Sequence, residues 1–426
     1  MKKIKYIFLL PLLVLSGCDG GMRYQFEYYT SSMGQGLGSD KFLCFDDENN
    51  SISCRPFNTD TMLKVYQKTN KNDEKFKHLL DDNYFFYNAY FDSNYYYKTD
   101  DLLINNIKVI NDSFNTGKEV PIIDDLYQII KFGIDFTKLS KGKFNIAIGT
   151  LADIYKDYIA IGQSCDGFLY KSPDKQQIEK ELLNVPNYEY IDKLIELNDD
   201  KKTIKLNKEV LDSSYKVEGL YKLNLGAIGK GYATMKMEEK LQSIEGYISS
   251  GESSVTMLSN SPFQKWNLLL SNPFYREYNN VKNEEYKKFN QFELKLSKDG
   301  KFSFSTSGYY ENFYYDENKE IIHHIIDGQT GLSTNKFLSV SALCDNSLIA
   351  DAVTTALMAM DLTEGKSFVK LVEDRYGVNI NPIWLERDDY KINCYADSAL
   401  EEYLYIDQKS CHQKIVTNLT FLNDIH

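Results

Sequence analysis

The sequence predicts an α+β fold of mixed sheets and helices, with antiparallel strand pairs and helices interleaved along the chain. Three observations carry this. Asp124–Leu139 sets Leu126, Ile129, Ile130, Ile134 and Phe136 at spacings near three and four, the period of a half-buried helix. Trp266–Leu270, Phe292–Leu296 and Phe302–Ser305 are short apolar or alternating runs, as strands are. No segment repeats at a period of about 20–50 residues, which excludes a solenoid or propeller.

In chain order, Asp19 to about Gln25 is polar and contains glycine, as a tether does. Met33-Gly34-Gln35-Gly36-Leu37-Gly38 has G-x-G-x-G spacing, which is not the dinucleotide fingerprint. Asn49–Asp73 reads as loop. Glu74–Phe91 reads as helix through Phe76, Leu79, Leu80, Tyr84 and Phe85. Lys180–Leu197 reads as mostly helical, broken at Pro186. Thr203–Leu206 and Lys222–Leu225 read as strands, and Gly231–Ile244 as a helix opening after a glycine cluster. Gly246–Met257 is strand-like with a glycine turn inside. Glu277–Phe289 is charged and reads as an exposed insertion. Ser347–Met360 is a strongly apolar helix, and Val378–Leu385 a final strand. Glu386–His426 is polar and receives no role.

The chain has 426 residues, room for one large domain or two to three ordinary ones. Its 42 % hydrophobic and 26 % charged residues exclude a wholly disordered chain and a polytopic membrane protein. A net charge of −12 leaves no basic excess to neutralise phosphates, so no nucleic-acid partner is expected. Only five basic residues are Arg, against 33 Tyr and 8 Pro, which fits a biased, AT-rich coding composition. The same bias explains the tyrosines from Tyr84 to Tyr97 more simply than sugar stacking does.

Met1–Lys5 is a short basic head, and Tyr6–Leu15 is an apolar run too short to span a bilayer. It ends in Leu15-Ser16-Gly17-Cys18, which looks like a bacterial lipobox with Cys18 as the lipidated residue. A buried strand with an incidental cysteine is the competing reading, but head, core and box stand in the order and distance of an export signal. The expectation is a chain lipid-anchored on the outer face of the bacterial cytoplasmic membrane. None of the other cysteines forms C-x-x-C, and no His has zinc-ligand spacing. Cys44 and Cys54 allow a disulfide in an oxidising compartment; free buried thiols are the alternative.

Three clusters hold residues suited to chemistry. Asn224–Ala233 is a strand, three glycines within six residues, Lys230 and then a helix. Such a turn cradles a phosphate or simply joins strand to helix; its spacing is not that of a Walker A loop. His323-His324-Ile325-Ile326-Asp327-Gly328 places two His at a strand end. Adjacent strand residues face opposite sides, so they make a poor metal pair; either one acts as an acid–base or both are structural. Asp351 and Thr355, four apart, project oxygens from one face of an apolar helix. That is hard-oxygen ligation suited to Mg²⁺, or a cap for a neighbouring loop. A formal S-x-x-K at Ser213–Lys216 lacks the companion motifs of penicillin-binding enzymes.

In this order the clusters resemble the FAD:protein FMN transferase family, the ApbE-like flavin transferases. Asn224–Tyr232 is similar to the family's D-[LFV]-G-[GA]-[IL]-[AG]-K-G-Y, except at the first position. His323–Gly331 is similar to its S-H-I-I-D-P-x-T-G, and Ala350–Thr355 to its A-D-A-x-x-T helix. Met33-Gly34-Gln35, Ser140–Gly149, Gly246–Val255 and Thr306–Tyr310 resemble its weaker motifs.

The resemblance implies a T-fold-related, single bilobed catalytic unit over 28–385, after a signal peptide at 1–17 and a tether at 18–27, with an extension of unknown role at 386–426. It implies transfer of FMN from FAD to a Thr or Ser hydroxyl of an exported acceptor protein, releasing AMP. Asp351, Thr355 and the Ala227 carbonyl would bind Mg²⁺. Met33, Phe144, Asn145, Asn224, Lys230 and the Ile325 backbone would contact FAD, and His324 would transfer a proton. Asn224, Gln35, His323 and Gly328 stand where the family usually has Asp, Thr, Ser and Pro. An FAD pyrophosphatase and a non-catalytic flavin-binding or adhesion lipoprotein are the competing functions. No [ST]-G-A-[ST]-x-[ST] acceptor motif occurs in the chain.

Overall fold

The computed structural model describes residues 24–30, 42–52, 56–67, 73–209, 217–251, 253–259, 265–282, 284, 287, 291–389, 391–406, 416–423 and 425. Its centre is a nine-stranded sheet whose strands, numbered along the chain, also lie in chain order. They are β1 (Tyr24–Tyr29), β2 (Thr61–Gln67), β3 (Glu245–Ser250), β4 (Ser254–Leu258), β5 (Phe302–Gly308), β6 (Ser339–Cys344), β7 (Ile380–Asp388), β8 (Lys391–Asp397) and β9 (Val416–Leu422). All neighbours are antiparallel except β8 and β9.

The helices that matter for the site are α1 (Lys75–Phe91), α2 (Asp124–Leu139), α3 (Gly149–Ser164), α4 (Gly229–Lys240), α5 (Pro273–Val281), α6 (Ser347–Met358) and α7 (Leu362–Tyr376). The sheet is covered on both faces. On one face Leu63, Ile248, Leu258, Val340 and Ala342 join the main core with residues of α1, α2, α4 and α6. On the other, Val255, Met257, Phe302, Phe304 and Leu343 pack on Trp266, Leu268, Phe274 and Leu294. The period of two in a strand makes this division. In β5 the phenylalanines of Phe302-Ser303-Phe304-Ser305 enter the second core, and the serines turn toward α6.

Several expected boundaries hold: α2 runs over Asp124–Leu139 and α1 over Lys75–Phe91. Others move. Lys222–Leu225 is not a strand; its backbone is held instead by Asn111, which accepts from Leu223 N–H and donates to Leu223 O. The helix expected over Lys180–Leu197 is Lys175–Leu182, started by Asp174 accepting from Gln176 and Gln177 N–H. After Pro186 the chain forms a short turn of helix, Ile191–Leu194, and then a strand, Ile195–Asn198. The charged stretch from Glu277 is not wholly exposed: α5 is an amphipathic helix and Glu277 is buried. Ordered pairing begins at Tyr24, inside the stretch read as tether, because Phe26 and Tyr28 face the core. The polar tail past 385 continues β7 and supplies β8 and β9 to the same sheet.

Cys44 is disulfide-bonded, its partner lying outside the described residues, whereas Cys165, Cys344 and Cys394 are free. Among the described residues no helix is long and apolar enough to cross a membrane.

α4 and α6 meet at Gly231. A Cβ there would stand 2.6 Å from the Ser347 carbonyl oxygen and 2.9 Å from both Leu348 Cα and Asp351 Oδ2. Gly231→Ala is therefore expected to force the helices apart and cost about 1–3 kcal/mol. The measurement is a urea midpoint at constant m; a wild-type midpoint would show that the contact yields freely.

Candidate functional site

Asp351 is the centre of the site. It lies in the second turn of α6, a helix started by Asn346, whose side chain accepts from Ile349 N–H. The residue is 5 % exposed. A carboxylate so placed needs donors, and the fold supplies them from three elements. Ser254 of β4 and Ser305 of β5 are direct cross-strand partners. Both donate to Asp351 Oδ1, at 2.7 and 2.5 Å. The Gly231 N–H of α4 also bonds the carboxylate. Burial raises the Asp351 pKa; the charge of Lys230 and these donors oppose it.

The Gly231 bond has a consequence for the turn before α4. Tyr232 N–H bonds Ile228 O at 3.0 Å, and Gly229 N–H bonds Leu225 O at 2.8 Å. Gly231 N–H is diverted to Asp351, and among the described residues no backbone donor reaches the Ala227 carbonyl. Thr355, one turn beyond Asp351, donates to Asp351 O at 3.0 Å, so its oxygen lone pairs stay available. Ser307 Oγ lies 3.4 Å from that hydroxyl and donates to Thr354 at 2.9 Å. One carboxylate, one hydroxyl and one carbonyl are all hard oxygens, and the donor set fits Mg²⁺. Among the described residues no group of three His, Cys, Asp or Glu could hold a metal ion.

Lys230, half-buried, donates to Ser253 Oγ at 2.9 Å. Ser253 also lines a cleft on the other face of the sheet, with Thr306, Ser341, Leu268 and Arg276. Asn224 Oδ1 accepts from Gly226 N–H at 2.8 Å, which fixes the glycine turn as an Asp would, without its charge.

The two histidines separate as the strand period requires. His323 is buried: Ile325 N–H donates to its Nδ1 at 3.2 Å, and its Nε2–H donates to Thr334 O. His324 has an exposed edge, and its Nδ1–H donates to Asn312 O at 3.3 Å. That leaves Nε2 as the acceptor. The ring is crowded enough that desolvation lowers its pKa, and the charge of Lys230 lowers it further.

The loops are tied together. Lys143 pairs with Asp327 at 2.7 Å, and Gly328 N–H donates to Lys143 O at 3.2 Å. A Pro at 328 could not make that bond, and a Cβ there would stand 2.2 Å from Gly142 O. Asn224 N–H donates to Ile146 O at 2.8 Å, which joins this pair of loops to the glycine turn.

Lys230 and Asp351 thus face each other across the start of α4, with Thr355 one turn beyond Asp351; Asn224 and Ala227 lie in the turn that leads into α4. Phe144 is buried edge-on to Phe136. Asn145 spends both amide ends inside the protein, on Pro186 O and Ala147 N–H. The Ile325 N–H is taken by His323, and its carbonyl already accepts from Thr334 N–H. These three positions brace the loops; a ligand contact by Ile325 is left to the second lone pair of its carbonyl. Met33, Gln35 and Cys18, and the S-x-x-K segment at 213–216, lie outside the described residues. Ser254, Ser305 and Ser307 were missed. For Ser305 and Ser307 the signal is the alternation that puts hydroxyls on one face of β5; Ser254 comes from β4 by strand register.

Burial, and secondarily His324, pushes the His323 pKa down to about 3 from an ordinary 6.5. Between those values the unfolded chain binds a proton that the folded chain refuses. This stability is complete above pH ~6.5 and is lost as the pH falls toward ~3, by at most about 1.4 kcal/mol per pH unit. His323→Gln should therefore lose Tm less steeply than wild type from about pH 7 to about pH 4. Parallel slopes would remove His323 as the source.

The ApbE family model matches residues 97–378. The FAD:protein FMN transferase of Buchnera aphidicola subsp. Schizaphis graminum is 27 % identical over 244 residues, 56 % of this chain and 62 % of that protein. The chain thus spans less than two thirds of the length of that relative. The Escherichia coli K12 FAD:protein FMN transferase is 24 % identical over 281 residues, 64 % of this chain and 68 % of its own. The flavin transferase ApbE from Vibrio cholerae superposes with a TM-score of 0.60 at 16 % identity, covering 90 % of this chain and all of that one. The ApbE protein of Thermotoga maritima also gives 0.60, at 17 % identity, covering 82 % and 97 %. With the family model spanning both the glycine turn of α4 and the Asp351 helix, and the α+β fold shared, the chain belongs to the ApbE family.

Proposed function

We propose that this chain is an FAD:protein FMN transferase that moves FMN from FAD to a Thr or Ser hydroxyl of an exported acceptor protein and releases AMP. The observation that carries the reading is the buried Asp351 carboxylate, with Thr355 one turn on, packed against the first turn of α4 beside Lys230. The ApbE family membership and the names of the relatives support it.

The reaction is displacement at one phosphorus of a pyrophosphate. The acceptor oxygen forms a bond to the flavin-side phosphorus, and the bond from that phosphorus to the AMP oxygen breaks. AMP leaves with the electron pair, and the hydroxyl proton goes to His324 Nε2. Asp351, Thr355 and the Ala227 carbonyl would hold Mg²⁺, which supplies neutralisation of the charge on the phosphates and the leaving group. Lys230 adds a fixed positive charge, and the α4 N-terminus adds the partial positive charge of the helix dipole. Asn224 keeps the turn but brings no charge to the flavin nucleotide.

The remaining part of the proposal concerns place. Residues 1–17 are an export signal, Cys18 is lipidated, and the catalytic unit stands on the outer face of the cytoplasmic membrane. The basic head, apolar core and lipobox-like order of the sequence support this.

The test is incubation of the mature protein with FAD, Mg²⁺ and a secreted protein bearing the acceptor motif, read as in-gel flavin fluorescence. Asp351→Ala and Thr355→Val are expected to lower transfer by at least about 100-fold, and chelation should abolish it. FAD binding without transfer would overturn the reading, and release of FMN and AMP without acceptor would make the chain a pyrophosphatase. Labelled palmitate should enter the wild type and not Cys18→Ala; equal labelling would refute the anchor.

A further inference from the structure

Glu277 is 1 % exposed, although it begins a charged stretch of the chain. It lies on α5, which starts at Asn272 with Pro273 in the first turn. Its carboxylate is fully engaged. Tyr309 Oη donates to Oε2 and Tyr315 Oη donates to Oε1. Arg387 Nη2, from β7, stands 3.1 Å from Oε2 and 3.3 Å from Tyr309 Oη. The Arg387 guanidinium lies 4.6 Å over the Phe274 ring, which fixes its plane. Burial and the carboxylate raise the Tyr309 pKa well above its ordinary value, so Tyr309 keeps its proton and donates.

A buried ion pair is a weak source of net stability, because desolvation offsets attraction. What it does supply is geometry. Tyr309 and Tyr315 stand three residues before and three residues after Asn312. Asn312 O accepts both the His324 N–H, at 3.2 Å, and the His324 Nδ1–H, at 3.3 Å. Tyr315 belongs to the strand Phe313–Tyr315, which pairs with Ile321–His323 and leads directly into His324. Asn280, also on α5, donates to Tyr310 O at 2.7 Å, so the helix grips the same segment by its backbone as well.

We propose that Glu277 is a positioning residue: by clamping Tyr309 and Tyr315 to one carboxylate, it fixes the Asn312 carbonyl between them and so sets the tautomer and aim of His324. This rests on the proton-accepting role given to His324 above. Glu277 touches no reacting atom. Its effect passes through two hydroxyls and one peptide carbonyl, as supporting hydrogen bonds commonly orient an imidazole.

The experiment uses the whole chain with ¹⁵N-labelled histidine, the His324 signal being identified by its loss in His324→Ala. Wild type should show the Nδ1–H tautomer. Glu277→Gln and Tyr315→Phe should shift His324 toward a tautomer mixture. In the transfer assay both should lower kcat about tenfold with KM for FAD within about twofold, the signature of misaim rather than lost binding. Tyr315→Phe should have no further effect in a His324→Ala background. An unchanged His324 signal in a cooperatively melting variant, or additive losses, would overturn the proposal. Should Glu277→Gln fail to fold, Tyr309→Phe and Tyr315→Phe each remove one hydroxyl from the clamp and decide it. A wild type that transfers no FMN would remove the transfer reading, and the His324 signal would still decide whether Glu277 positions it.

Discussion

The burial of the Asp351 carboxylate is the constraint on which the rest of the site depends. An ionised group in that position is tolerated only while enough donors converge on it. Two come from neighbouring strands, Ser254 and Ser305, and one from the first turn of α4, the Gly231 N–H. The carboxylate therefore joins the sheet to both helices. It also fits the absence of a side chain at residue 231, since a Cβ would crowd the Ser347 carbonyl, Leu348 Cα and the Asp351 carboxylate. And it frees the Ala227 carbonyl, which a regular helix would have consumed.

Around that centre the molecule divides its labour between faces and loops. The face of the sheet under α4 and α6 carries Asp351 and Thr355. Lys230 reaches the β3–β4 turn at Ser253, which borders the cleft on the other face. The paired loops at 140–147 and 324–331 are held by Lys143 and Asp327, and are joined to the glycine turn through Ile146 and Asn224. The adjacent histidines follow the same logic. His323 is a structural group sealed by Thr334 and Ile325, while His324 is turned outward by Asn312. Glu277 extends this logic to α5, an element that carries no recognisable motif.

Local pattern made much of this legible. Helix α2 follows its apolar period from end to end, and α6 announces itself by an almost unbroken apolar run. Asp351 stands out as the one charged residue of that helix, with Thr355 four residues on. The failures share a cause. Lys222–Leu225 has a strand's composition but finds its hydrogen bonds on the Asn111 side chain, a partner over a hundred residues away. Glu277 reads as surface because its neighbours are charged, and only the arrival of Tyr309, Tyr315 and Arg387 makes its burial affordable. The polar tail reads as an appendage because β8 buries mainly every second side chain and only β9 stands at the sheet edge.

The sequence by itself determined the α+β class, the positions of the main helices and strands, and the residues of the three clusters. These depend on periods and spacings within a few residues of one another. Only the tertiary structure decided that Ser254 and Ser305 share one carboxylate oxygen, that Gly231 gives its N–H to Asp351, and that a glutamate in a charged stretch is buried. Those are contacts between segments 32 to 120 residues apart, made by register and helix packing, and no local pattern encodes the distance across a fold.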